Sequence, residues 1–437
     1  MLYHETGFSP RQVRIVGAAV PLIFLCAAIG ITQSAVANTL CVNPSGGSGC
    51  KSTISAAVAA AAPGDTIQVS HGTYKEDVII PKSLSLIGEN QENTIIDATG
   101  KANGINIDGH GNPGLSDVVV AGFTVENANF PGILVTNASS VTISGNEVTN
   151  NDKALVVSSA ADTCPGLPSY FQSGEDLDCG EGIMFSGVDH STLAGNTVSG
   201  NSGGMLITDD TGATHDNLIT GNTVQRNSQF DCGITLPSHS GAGVYHNTVS
   251  ANESSFNGGP GVGIFAPGPG SKAYGNVIIN NRLRYNALPG VAMHNHASPG
   301  IGGVPGFLPP PIFNDNVIVG NTISGNGADT SDAATSGPTG INIFSVGPMT
   351  GTIILQNDID QEAIAIAIKI PSVSGVPPVQ IHLNDLPNGN IGVENAGTAK
   401  VDATQNWWGC SAGPGTGGCA SVSGTGVLYT PWLTKPF

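Results

Sequence analysis

Asparagine recurs in this chain inside a fixed short phrase, and no other feature limits the fold so tightly. Seven times between residues 140 and 360 an Asn is followed two places on by an aliphatic residue, and usually by another Asn three after that. The copies are Asn146-Glu-Val-Thr-Asn150, Asn196-Thr-Val-Ser-Gly-Asn201, Asn222-Thr-Val-Gln-Arg-Asn227, Asn247-Thr-Val-Ser-Ala-Asn252, Asn281-Arg-Leu-Arg-Tyr-Asn286, Asn321-Thr-Ile-Ser-Gly-Asn326 and Asn357-Asp-Ile. Their first asparagines lie 50, 26, 25, 34, 40 and 36 residues apart, a period that belongs to repeat architectures.

Each phrase follows a short alternating strand opened by Gly, as in Gly182-Ile-Met-Phe185, Gly204-Met-Leu-Ile207, Gly233-Ile-Thr-Leu236, Gly290-Val-Ala-Met293 and Gly340-Ile-Asn-Ile343. Strands this short cannot each build a core, but stacked about 4.8 Å apart they share one. The economical solution is an all-β, right-handed parallel β-helix. Asparagines stacked at its turns would satisfy each other's amides, which makes the ladder structural rather than catalytic.

The ends carry different signals. Arg11 and Arg14 precede an apolar run from Ile15 to Ile31 that closes on Ala35-Val-Ala37, which reads as a cleaved signal peptide over residues 1–37. No later stretch of 18 apolar residues follows, so stable membrane insertion is not expected after cleavage. Ser52 to Ala62 reads as a helix stopped by Pro63-Gly64, capping the solenoid within residues 38–64. Coils are expected over 65–405. A C-terminal cap over 406–437 holds Asn406-Trp-Trp-Gly409 and Trp432, with the tryptophans plugging the core.

Cysteines and charge fit export. Cys41 and Cys50, Cys164 and Cys179, and Cys410 and Cys419 form three close pairs, the pattern of loop staples in an oxidising compartment. Cys232 is left as a small buried hydrophobe. Removing Arg11, Arg14 and Glu5 leaves 12 basic and 31 acidic side chains, a net charge of 12 − 31 = −19. Nucleic acid is therefore not an expected partner. A polyanionic polymer would be repelled unless a cation or a local basic patch intervened. The surface is otherwise built from Asn, Ser, Thr and Gly, which suits a hydroxyl-rich ligand.

These features together resemble the exported bacterial right-handed β-helix proteins of the pectate-lyase-like superfamily. The N-terminal block Ser52 to Gly88, the Gly and Asn coils and Asn406-Trp-Trp-Gly409 carry the likeness over roughly residues 40–437. The resemblance implies a secreted, periplasmic or cell-surface protein. Its members include lyases, hydrolases and epimerases of polysaccharides, and repeat proteins of copper delivery to nitrous oxide reductase. It names an architecture more sharply than an activity. Thr208-Asp-Asp210, Gly109-His-Gly111 and Ile368-Lys-Ile370 echo polygalacturonase motifs in the wrong order and without the Arg, so that family is not assigned. Arg226, Arg282 and Arg284 lie in Asn-ladder segments, where solvation is their simplest role and substrate contact the sharper one.

Strand alternation selects the candidate site. From each opening Gly, positions +1 and +3 point inward and +2, +4 and +6 outward. The +6 column contains His110, Asp210, His239 and His296, and His294 joins it from +4. Asp210 and His239, one coil apart, are the expected acid and base on an exterior groove, with Asp209 a third catalytic candidate. His294, His296, Asp231 and Tyr170 are the expected substrate contacts. The loops 161–180 and 298–312 would wall the cleft. The plain alternative is that these Asp and His side chains only decorate turns. No spacing marks a metal site, although a divalent cation such as calcium could assist. The expectation is a monomer that cleaves or epimerises a polysaccharide, with non-catalytic glycan binding and, more remotely, metal capture as alternatives.

Overall fold

The computed structural model describes residues 37–156, 158, 163–170, 181–228, 232–296, 311–330, 334–372, 375, 377–387 and 389–437. The expected signal peptide, Phe171, Cys179, Asp231 and most of the loops 161–180 and 298–312 lie outside these residues. The described chain winds through three large parallel sheets of 14, 10 and 12 strands, with a fourth of three short strands, Thr214–His215, Val244–Tyr245 and Ala273–Tyr274. One coil runs from Thr192–Ala194 in the first sheet to Thr197–Ser199 in the second and Met205–Thr208 in the third. The next repeats the path with Leu218–Thr220, Thr223–Gln225 and Ile234–Pro237. The all-β solenoid inferred from the repeats is thus the fold.

Alternation places the core as expected. Ile183, Phe185, Met205, Ile207, Ile234, Leu236, Val291 and Met293 have no solvent exposure. The outward +2 positions Met184, Leu206 and Ala292 are also buried. Met184 and Leu206 cluster with Leu134 under Leu167, so the described segment 163–170 reaches over the outer face of the third sheet.

The asparagines form ladders through the stack. Between the first and second sheets, Asn146, Asn196, Asn222, Asn252, Asn281, Asn321, Asn357 and Asn384 each donate an Nδ2 hydrogen to the Oδ1 of the next, the last of them to Asn406. Successive rungs are 50, 26, 30, 29, 40, 36, 27 and 22 residues apart. Asn247 is therefore not equivalent to Asn222. It belongs to another ladder, Asn217-Asn247-Asn276-Asn316, at the corner entering the first sheet. Asn151, Asn201, Asn227, Asn257, Asn286 and Asn326 make a third ladder between the second and third sheets, and Asn151 rather than Asn150 is its rung. Corners recur every five residues, as in Asn247, Asn252 and Asn257, so one phrase reads equally well at two corners.

The residue before each rung of this third ladder is left-handed. Asn150, Gly200, Arg226, Phe256, Tyr285 and Gly325 have φ of 59, 68, 52, 57, 53 and 68°. Asn and Gly suit that conformation, whereas Arg, Phe and Tyr each pay roughly 1–2 kcal/mol for it.

The helix is shorter than the sequence suggests, Ile54–Ala60, with the Thr53 side chain capping Ala56 N–H. Glu76 accepts from Ile54 and Ser55 N–H at 2.8 Å each, a structural role at the start of this helix. At the other end the adjacent tryptophans divide: Trp408 is fully buried, and Trp407 lines an outer depression. Alternation along an extended segment forces that split, so Trp408 alone of the two plugs the core, with Trp432 packed against it at the rim. Strand pairing continues past residue 405, through Ser421–Gly424 in the third sheet and Val427–Leu428 in the first. Cys41–Cys50 and Cys410–Cys419 are disulfides, Cys164 is disulfide-bonded, and Cys232 is buried against Phe265 and Ala292.

Candidate functional site

Met205–Thr208 pairs in parallel with Ile234–Pro237, Met205 opposite Ile234 and Leu206 opposite Thr235. Continued to the strand ends, that register sets Asp209 beside Ser238 and Asp210 beside His239.

Asp209 is wholly buried, and its carboxylate builds the neighbouring turn. Oδ1 accepts from His239 N–H at 2.7 Å and Ser240 N–H at 3.0 Å. Oδ2 accepts from Ser238 Oγ at 2.8 Å and Gly243 N–H at 2.7 Å. Four donors on two oxygens occupy the lone pairs that a catalytic carboxylate would need, so Asp209 acts here by fixing the backbone that carries His239.

Asp210 and His239 meet directly. His239 Nδ1 lies 2.8 Å from Asp210 Oδ1, and Thr208 Oγ1 donates to the same oxygen at 2.9 Å while standing 3.2 Å from Nδ1. Their side chains are only 2% and 3% exposed. They occupy the column that the alternation assigned, but they do not stand on an open groove. A carboxylate at Nδ1 holds the proton there and fixes the tautomer of the ring. The unit is a preorganised His–Asp dyad steadied by a hydroxyl.

His294 and His296 belong to a neighbouring group. Their rings are 5.6 Å apart, and Phe344 flanks both, at 6.0 Å from His294 and 5.5 Å from His296. Phe265 lies edge-on to His294 at 5.7 Å. His294 Nε2 is 3.4 Å from Asp329 Oδ2, which also accepts from Asn342 Nδ2 at 3.0 Å. Asp329 and Asn342 were not found from sequence. Asn342 sits at an outward +2 position where alternation could have flagged it, whereas Asp329 lies in a loop that carries no period. In the column, Pro267 intervenes between His239 and His296, so the two groups are about two coils, roughly 10 Å, apart.

Tyr170 is placed elsewhere. Its ring stacks on His110 at 4.5 Å, beside the strand Ile105–Asp108. Two strands separate that one from Met205–Thr208 in the order of the third sheet. Partial burial and the nearby Asp108 carboxylate push its phenol above the usual range. The stack ties its loop to the solenoid rather than to the dyad. Asp231 lies outside the described residues.

A further column was missed. His215, Tyr245 and Tyr274 stack at 4.7 and 5.0 Å, nearly parallel, at the corner entering the first sheet. Asp216 reaches His215 at 2.8 Å and His246 at 3.8 Å. Nearby, Asp189 raises the His190 imidazole by a 2.7 Å hydrogen bond. The Tyr at the same place in successive coils was the available signal. Among the described residues, no group of three or more His, Cys, Asp or Glu is placed to hold a metal ion.

A family model, right handed beta helix region, matches residues 86–276. The chain is a right-handed parallel β-helix. That is the architecture implied by the resemblance to the pectate-lyase-like superfamily. Similar solved structures include the Dettilon tailspike protein, with 14% identity and a TM-score of 0.52 over 83% of this chain. The catalytic domain of a GH87 α-1,3-glucanase in complex with tetrasaccharides matches with 13% identity and a TM-score of 0.52 over 84% of this chain. The β-helix spans 62% and 63% of those two chains. PfbA, a surface adhesin of Streptococcus pneumoniae, matches with 12% identity and a TM-score of 0.50 over 86% of each chain. At such identities the likeness is one of fold. No curated protein matches the sequence. The disulfides point to an oxidising, extracytoplasmic setting. No helix among the described residues is long and apolar enough to cross a membrane.

Proposed function

We propose that this β-helix is an exported polysaccharide-active protein that cleaves or epimerises a glycan on the outer face of the third sheet. The observation that carries the proposal is the buried Thr208, Asp210 and His239 unit. His239 exchanges the proton, as base or acid, through Nε2. Asp210 fixes the tautomer and stabilises the imidazolium that forms, Thr208 steadies the carboxylate, and Asp209 positions the turn. The glucanase domain and the adhesin are fold-mates that support a glycan setting without fixing the reaction. Extracytoplasmic export as a monomer accompanies this reading. His294 and His296 lie two coils along the same face and contact an extended substrate.

The burial of the dyad favours a second reading, non-catalytic glycan binding, because a polymer must reach Nε2 past whatever covers it. One experiment separates the two. The mature chain is incubated with a broad polysaccharide panel, with and without calcium, and unsaturated-uronate absorbance and reducing ends are followed together. Absorbance growth identifies a lyase and reducing ends alone a hydrolase. Silence in both, with saturable glycan binding and no isomer change by NMR, selects the binding protein.

A further inference from the structure

The mature chain contains only three arginines, and all three lie on one flank of a solenoid whose net charge is −19. Arg226 follows the second-sheet strand Thr223–Gln225, and Arg282 and Arg284 lie in the strand Arg282–Arg284 two coils on. No salt bridge joins any of them to a carboxylate among the described residues, although Glu253 stands opposite Arg282 in the sheet. Arg284 Nε is buried without a hydrogen-bond partner.

Two large apolar rings stand among them. Phe256 and Tyr285 are 49% and 47% exposed and stack on each other at 5.2 Å, with the Arg226 guanidinium 5.5 Å over the Phe256 ring. The position is costly. Arg226, Phe256 and Tyr285 occupy three successive left-handed turns, where neighbouring coils use Gly200 and Gly325. Strain held at exposed aromatic and basic side chains points to use rather than packing. These residues line a depression of about 450 Å3 that continues, through Tyr285, into one of about 270 Å3 beside Arg284. There Asp358 and Asp360 end the basic strip.

We propose that this flank is a binding strip for an anionic polysaccharide, resting on the reading of the chain as glycan-active. Sugar rings lie against Phe256 and Tyr285, and carboxylate or sulfate groups take Arg226 and Arg284. The strip is the local basic patch that an otherwise strongly acidic protein needs to approach such a polymer. It is distinct from the His239 dyad, because it lies where chain enters the third sheet rather than where it leaves.

The test is affinity electrophoresis of the mature chain in gels containing polygalacturonate, fully methyl-esterified polygalacturonate, dextran sulfate or dextran. At least one charged polymer should retard the protein while its neutral counterpart does not, and salt should weaken the retardation. Which of the two acts identifies the anionic group. The Arg226→Gln/Arg284→Gln variant should bind at least 10-fold more weakly. Phe256→Asn, which places a residue suited to left-handed φ, should bind several-fold more weakly with thermal unfolding nearly unchanged. Equal retardation by charged and neutral polymers, no retardation by either charged polymer, or unaltered affinity in the double Arg variant would overturn the proposal. The same assay on folded Asp210→Asn separates the two sites. Retained binding there supports a strip independent of the dyad, and lost binding refutes it. Absence of catalysis with binding intact would sink only the enzymatic reading.

Discussion

The two ends of the third sheet's strands treat their polar groups in opposite ways. Where chain leaves the sheet, Asp210 and His239 are almost fully enclosed and bonded to each other and to Thr208. Where chain enters it, Arg226, Phe256 and Tyr285 project from strained turns into solvent. A proton-transfer group gains from enclosure, since a fixed partner and few competing waters hold it in one tautomer. A binding strip gains from exposure, since its partners arrive with the ligand. One scaffold supplies both because its corners are independent columns, each free to vary without disturbing the rungs beside it.

The strongest way to break this contrast is at the enclosed end. His239→Ala and Asp210→Asn should each lower turnover of whichever glycan is a substrate by roughly 10²–10⁴-fold, with thermal unfolding nearly unchanged. Asp209→Asn should instead lower the unfolding temperature along with activity, because its carboxylate holds four donors of the turn. Steady-state kinetics with parallel calorimetry decide the matter. If Asp210→Asn and Asp209→Asn lose folding equally, the dyad is only another piece of turn.

Below that lies the ladder. Asn222 accepts from the N–H and Nδ2 of Asn196 and donates to Leu193 O and Asn252 Oδ1. Asn222→Ala strands buried backbone groups of the neighbouring coil and should cost about 3 kcal/mol or more in denaturant unfolding. A loss under about 1 kcal/mol would show that the coils relax around a missing rung.

Much of this molecule was legible in sequence, and the failures share a cause. Gly-opened strands alternate with a period of two, so the core positions Ile183 to Ile343 and the column holding Asp210 and His239 could be counted off. Burial by other segments has no period. That is why Asp210 and His239 were expected on an open groove, why Tyr170 was expected near them rather than on His110, and why Asp329 was missed. The slip from Asn252 to Asn247 has another origin, since equal five-residue sides make the corners look alike. The arginines were noted together as lying in Asn-ladder segments, but only the stacking of coils shows that they share one flank.

A smaller effect separates the ladder's end from its middle. Glu362 stands where the third ladder would place another Asn, accepting from Asn326 N–H and Nδ2 at 2.9 Å each, and it is 1% exposed. Burial pushes its carboxyl up to about 7 against those two hydrogen bonds, and Asp360 adds to the rise. The unfolded chain releases this proton near the ordinary value of 4.5, earlier than the folded one. The protonated form therefore contributes stability that is full below about 4.5 and lost as pH rises towards 7, on the order of 3 kcal/mol. Glu362→Gln should flatten urea stability across that window. Some slope between 3.8 and about 6 should survive, because burial and the neighbouring Asp358 and Asp360 raise Asp385 in the same direction. An unchanged pH profile would mean that Glu362 is not the titrating rung.

The smallest effect tests the strained turns. At Arg226 the left-handed φ of 52° costs an ordinary L-residue roughly 1–2 kcal/mol, and Asn less. Against that relief stands the exposed stacking of its guanidinium on Phe256, worth about 0.5–1 kcal/mol. Arg226→Asn should therefore stabilise the fold slightly, by up to about 1 kcal/mol, whereas Arg226→Ala keeps the strain, loses the stacking and should destabilise it. Paired denaturant titrations read the difference between the two variants, in which the lost stacking cancels and the backbone term remains. Equal stabilities would mean that the turn tolerates these side chains without cost, and the inference from strain to binding would lose its support, although the exposure of the rings and the clustering of the arginines would stand.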